Sequence, residues 1–301
     1  MTFQPFQPRV ARVVVSTNRV DQTGKTTSEV FQFEQHRMRL AIQEGGGGVF
    51  GNMQAKIYGV PLSTMNVIAR LQFNANFLSV NDIVNVSVWD DAQSIFLPLF
   101  SGMITYPSVE INPPESALTI EANNAGLLWN VVDTPYSNAG PISLSDVLAT
   151  LAAKGNLGLD FSALIAPVPQ CVNLHLTGSP ADQISQLLNQ YPALSWNVVL
   201  NRLRVWPDGK SFSDDAVRIA ADTGMVGVPN YNSTGLTCRT LLNPSLTPGR
   251  TLQIETGLVD FIDQTRWSCQ VVRHVLEPRV PGGAWFSDIA ATPWTINDGS
   301  K

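Results

Sequence analysis

Apolar residues in this chain recur at every second position through short runs, and only a few stretches repeat at helical spacing. Met38, Leu40 and Ile42 share one face of an extended run over residues 37–43, and Ile83, Val84, Val86 and Val88 fall within a second over residues 82–89. Val13-Val14-Val15 within residues 9–16, Val30, Phe31 and Phe33 within 29–33, and the runs 54–58, 96–106 and 117–122 extend the pattern. Turn signals at Gly59 and Asp90-Asp91 divide them. Strands of this kind bury one face each, so residues 1–134 are expected to form a first antiparallel barrel or sandwich domain. The single helical stretch there is 62–71, with Ser63 as N-cap and Val67, Ile68 and Leu71 facing inward. Gly45, Gly46, Gly47 and Gly48 interrupt the strands; with no lysine and no helix following, they predict a flexible loop and not a phosphate cradle.

Residues 135–210 read differently. Ser143 opens a helix with Asp146 at its third position, Leu144, Val147, Leu148 and Leu151 at helical spacing, and Gly155 at its end. A second helix starts at Ser179-Pro180, with Ile184, Leu187, Leu188 and Tyr191 as its apolar stripe. Between them Val172, Leu174 and Leu176 alternate as a strand, and Asn201-Arg202 is expected to turn a hairpin between 195–200 and 203–206. Turn-rich linkers at 135–141 and 207–213 bound this α+β insert. Residues 211–301 return to β, with strands at 251–255, 265–276 and 284–290 and a turn at Pro281-Gly282-Gly283. The fold class is therefore mainly β with an α+β insert.

The side chains point away from catalysis. His36, His175 and His274 stand singly, without metal-site spacing, and Cys171, Cys238 and Cys269 form no Cys-x-x-Cys pair. Adjacent carboxylates at Asp90-Asp91 and Asp214-Asp215 diverge on turns, and Asp260 with Asp263 shows no cleft signature. No nucleophile elbow, dinucleotide fingerprint or P-loop occurs, so neither enzymatic activity, metal nor cofactor is expected. A net charge of -5 without a basic cluster argues against stable nucleic-acid binding. No run reaches the ~20 apolar residues of a membrane span, and the first residues lack a secretion-signal pattern, so synthesis in a cytosol without membrane insertion is expected. Charged residues make up only 14% of the chain, against roughly a quarter in ordinary domains, and neutral polar surface is cheaper to desolvate against a partner.

One segment is more specific. Residues 223–249 carry Gly227 and Pro229 as Gly-x-Pro, an Asn/Thr-rich turn, Gly235, an alternating strand, Leu242-Asn243-Pro244 and then Gly249. Trp267 to Leu276, which includes His274, and Gly282-Gly283-Ala284-Trp285 follow as a closing hairpin; Leu99 to Ile104 and Ala55 to Gly59 with Met65-Asn66 supply anchors in the first domain. This pattern resembles the baseplate hub proteins of Mu-like and related contractile phage tails. The resemblance implies two tail-tube-like antiparallel β-barrels per chain, a homotrimer forming a pseudo-six-fold ring, and a position in the virion. It implies as partners the tail tube protein, a central spike or tail-tip protein, and tape-measure and baseplate wedge proteins, with DNA passing through without stable binding. Asp82, Asp90, Asp91 and Asp133 are the carboxylates expected to face such a lumen, and Gly45 to Gly48 form a candidate assembly loop. The alternatives are a carbohydrate-binding or adhesive β module of a virion, and a hub-associated lysin, which would need a carboxylate pair in a cleft.

Overall fold

The computed structural model describes residues 9–20, 26–48, 50–69, 82–112, 115–131 and 134–294. Leu71 and Asp133 lie outside these. Most of the chain is strand, arranged mainly antiparallel, with a few short helices. Its contacts divide it into two compact units: Met1–Ile42, Asn52–Gly126 and His274–Trp285 form one, and Gln43–Gly51, Leu127–Arg273 and Phe286–Lys301 the other. Among the described residues no helix is long and apolar enough to cross a membrane.

The first unit contains β1 (Ala11–Val20), β2 (Thr26–Phe33), most of β3 (Met38–Gly45), β4 (Asn52–Tyr58), α1 (Leu62–Ala69), β5 (Ile83–Asp90), β6 (Ile95–Asn112) and β7 (Glu115–Asn123). The strand order is β3-β4-β7-β6-β5-β1-β2. The alternation sets the core: Met38, Leu40, Ile42, Val84, Val86, Val88, Leu118 and Ile120 are all buried. Three expectations change here. α1 starts at Leu62, so Ser63 sits inside its first turn, and Met65, Ile68 and Ala69 form its buried face. His36 lies in a bend after β2, edge-on to the Phe33 ring. β6 runs on to Asn112 although it contains Pro98 and Pro107. Pro98 sits at a register shift against β5, and Pro107 lies beyond Met103, where β6 pairs with β7 alone; neither needs to donate on both sides.

The second unit contains α2 (Gly126–Asn130) from Leu127 onward, then β8 (Tyr136–Asn138), β9 (Ile142–Ser143), α3 (Leu144–Lys154), β10 (Gly158–Phe161), β11 (Gln170–Cys171), β12 (Leu174–Leu176), α4 (Pro180–Leu188), β13 (Leu194–Val199) and β14 (Arg202–Pro207). Both helices start where expected: Ser143 accepts from the Asp146 amide, while the reciprocal capping box forms at the second helix, between Ser179 and Asp182. Leu144, Val147, Leu148, Leu151, Ile184, Leu187 and Leu188 are buried between them and a sheet in which β14 pairs parallel to β10 and antiparallel to β13. Tyr191 lies past the end of α4, its hydroxyl 3.2 Å from Cys171 Sγ.

Three further readings of this region need correction. The expected strand through Val172 breaks at Asn173, whose left-handed φ of 56° ends β11 and leaves Val172 exposed. Pairing of Val199 with Arg202 moves the hairpin turn to Leu200-Asn201, both at positive φ, one residue earlier than expected. Part of the expected linker, Tyr136–Asn138, is a strand paired with β12.

The rest of the unit comprises β15 (Ala216–Ala220), β16 (Met225–Asn232), β17 (Gly235–Leu241), β18 (Thr251–Glu255), α5 (Asp260–Gln264), β19 (Arg266–Leu276) and β20 (Trp285–Pro293). β16, β17, β20, β19, β18 and β15 lie side by side in that order, with β15 parallel to β18. Leu236, Cys238, Leu246, Leu252, Ile254, Ile262, Trp267, Cys269, Val272 and Ile289 fill one core.

Candidate assembly surface

The sequence motif at 223–249 folds into a hairpin and the loop that locks it. Pairing of β16 with β17 runs through Val226↔Arg239 and resumes at Asn230↔Thr237, so Gly227, Val228 and Pro229 bulge opposite Cys238 alone. Gly227 takes φ +76°, which an L side chain resists. Gly235 passes so close to the Ala291 carbonyl on β20 that a Cβ would strike it. After β17, the Asn243 amide donates to Ser287 Oγ, and Asn243 Oδ1 accepts from the Ser245 amide. That turn buries Leu246 completely. Gly249, at φ +77°, lies under the Trp206 ring, where a Cβ would come within 2.9 Å. The motif positions are thus mostly anchors, and what they hold outward is apolar: Val226, Val228, Tyr231 and Leu241 are exposed.

The bulge opens a cleft of about 620 Å³ between β16 and the outer face of β17, β20 and β19. Val226, Val228 and Val271 give it apolar lining. Arg239 is on its lining, paired with both oxygens of Asp288 at 2.6 and 3.0 Å. Arg273, also on its lining, is exposed and has no ion-pair or hydrogen-bond partner among the described residues.

A second outward feature follows β18, and sequence reasoning missed it. Asp263 accepts from the amides of Thr256 and Gly257 and from Thr256 Oγ1, which itself accepts from the Leu258 and Val259 amides. These bonds hold the Asp263 carboxyl below its ordinary range, the Thr256 amide contributing most. The loop is fixed from beneath, because Ile262 is fully buried and its carbonyl accepts from Trp267 Nε1. Yet Leu258 is 73% and Phe261 59% exposed, and between them lies the exposed Asp260, which has no partner among the described residues. Ordinary loops do not display two large apolar groups on so rigid a frame. The only sequence sign was Leu and Phe between turn-forming Gly and Asp.

The glycine run is a hydrogen-bonded turn. The Gly46 amide donates to Gln270 O and the Gly48 amide to Trp196 O, while Gly47 and Gly48 take φ of +69° and +79°. Gly46 lies against Trp206 and Gly48 against Trp196, leaving Gly47 as the exposed tip. Just before it Glu44 is buried, and burial raises its pKa to about 8 despite the opposing field of Arg204. Glu44 Oε1, Asn197 Nδ2, Arg204 Nε, Ser211 Oγ and Arg250 Nε are all buried without hydrogen-bond partners among the described residues. Burial likewise pushes the Cys238 thiol up to about 12 and raises that of Cys269.

The remaining singled-out residues are dispersed. Trp267 and His274 are buried, and Trp285 is half-buried at the start of β20. Asp82 is buried and accepts from the Asn18 amide, which removes it from any exposed wall. Asp90 accepts from the Ala92 amide, the usual bond of a turn-forming aspartate, and Asp91 accepts from Trp89 Nε1. Among the described residues no three His, Cys, Asp or Glu side chains are grouped to hold a metal.

No protein-family model and no curated protein sequence matches the chain. Solved structures do. A tail protein from Neisseria meningitidis MC58 superposes with a TM-score of 0.59 at 11% identity, covering 96% of this chain and 97% of that one. The 43 kDa tail protein of prophage MuSo2 from Shewanella oneidensis gives 0.58 at 7% identity, over 96% and 100%. The E. coli c3393 protein, a type VI secretion component described as similar to T4 bacteriophage tail proteins gp27 and gp5, gives 0.56 at 12% identity, over 87% and 75%. This chain has the fold of these phage tail and type VI secretion proteins along nearly its whole length.

Proposed function

We propose that this chain is a structural, non-enzymatic component of a phage-type tail baseplate, the central hub between tail tube and spike. The observation that carries the proposal is the likeness to two tail proteins, which spans at least 96% of both chains in each comparison and so is not confined to one shared module. In this reading residues 1–134 and 211–301 supply two tube-type barrels and 135–210 the insert. Three copies then make a pseudo-six-fold ring in the virion that meets tail tube and spike, and DNA passes a lumen of weakly acidic subunits. The exposed apolar hairpin and loop, on a surface poor in charge, support a chain that buries its faces on neighbours. Gly47, at the tip of the glycine turn, remains a candidate contact in that assembly.

The test is the solution mass by light scattering, with particle images of the same sample. A ring of three times the 32.7 kDa chain mass is expected. A chain that stays monomeric alone and in the presence of tail tube and spike proteins, and that instead binds glycans, would replace the hub with an adhesive module.

A further inference from the structure

A closed ring of odd copy number cannot be built from one self-complementary patch; it needs two different patches that meet head to tail. The second unit carries such a pair, with no residue in common. One is convex and rigid: Leu258 and Phe261, held outward by the Asp263 bonds to Thr256 and Gly257. The other is concave: the cleft behind the β16 bulge, with Val226, Val228 and Val271 on its lining. Their charges match as well as their shapes. The convex patch has Asp260 between its two apolar groups and the cleft has Arg273 on its lining, and neither has a partner among the described residues. The other ion in the cleft, Arg239, is already neutralised by Asp288, so Arg273 is the cation left for an incoming carboxylate.

We infer that the Leu258–Phe261 loop of one copy seats in the β16 cleft of a second copy of this chain, with Asp260 meeting the partner's Arg273. The inference rests on the ring reading and deepens it by naming the contact. The loop forms the centre of a larger interface, since two side chains alone fall short of the ~1,000 Å² that a stable association buries. Its stiffness matters because little conformational freedom is lost on docking. The bulge residues Gly227 and Pro229 acquire a purpose: a regular β16 would lie flat against β17 and close the cleft.

The experiment compares self-association of the full chain with that of a Leu258→Asp, Phe261→Asp variant and a Val228→Arg variant, by light scattering across a dilution series. All three side chains are exposed, and circular dichroism with thermal melting checks that the fold is kept. Association at least about thirtyfold weaker is expected for both variants. Asp260→Arg alone and Arg273→Asp alone are each expected to weaken it, and the two together in one chain to restore it. A wild-type oligomer that neither the loop nor the cleft variant disturbs overturns this contact while leaving the hub ring standing. Loss with the loop variant but not the cleft variant also overturns it, since the loop then seats elsewhere. A wild-type chain that is monomeric at every concentration overturns both this contact and spontaneous ring formation.

Discussion

Glu44 makes the stability of this protein depend on pH in an unusual direction. Its carboxyl titrates near 8 in the fold, against 4.5 ordinarily, so the folded chain keeps a proton that the unfolded chain has already lost. The Glu44 contribution is therefore full below about pH 4.5, falls as pH rises toward 8, and levels off above, with a total change on the order of a few kcal/mol. Urea midpoints from pH 5 to 9 should decline in the wild type and stay flatter in Glu44→Gln. A second residue-scale expectation concerns Gly249, whose positive φ and contact with Trp206 leave no room for a methyl group. Gly249→Ala should lose about 2 kcal/mol in the same assay. Gly235, Asn243 and Gly249 could be singled out in the sequence as a motif, but not their work: each acts against a residue distant along the chain, Ala291, Ser287 or Trp206. Asp82 was misread for the same reason, since its partner Asn18 lies on another strand.

Elements were legible wherever local chemistry decides them. Ser143 and Ser179 cap helices because the bonds run to residues three positions on, and alternation in β3 and β5 fixes the buried face by geometry alone. Boundaries set by neighbours were not legible: β6 outruns its two prolines because of what flanks it, and Leu200 takes a positive φ to satisfy a cross-strand register. The α5 loop escaped notice because its defining bonds join Asp263 back to Thr256, with no periodic pattern between. Replacing that carboxylate should unlock it. In Asp263→Ala, amide exchange at Gly257, Leu258 and Val259 should accelerate while the β19 core amides stay protected. Acid should mimic the change. With its pKa held below 3.8 in the fold, the Asp263 contribution is intact above that pH and is lost as pH falls through the lower folded value.

At the scale of the whole molecule, neither unit is a continuous stretch of chain. The first takes its last segment from His274–Trp285, where Glu277 pairs with Arg39 and the Gly283 carbonyl accepts from Arg9. The second takes Gln43–Gly51 from near the beginning. Truncation after Arg273 should therefore leave residues 9–126 open to limited proteolysis, although every strand from β1 to β7 is still encoded. The composition and strand pattern gave no sign of this interleaving, because it resides in pairings between residues more than two hundred positions apart. It also governs how the protein is born. Domains normally fold one after another as they leave the ribosome, but here the first unit must wait, incomplete, until synthesis has passed Trp285, after the whole Leu127–Arg273 segment of the second unit has been made.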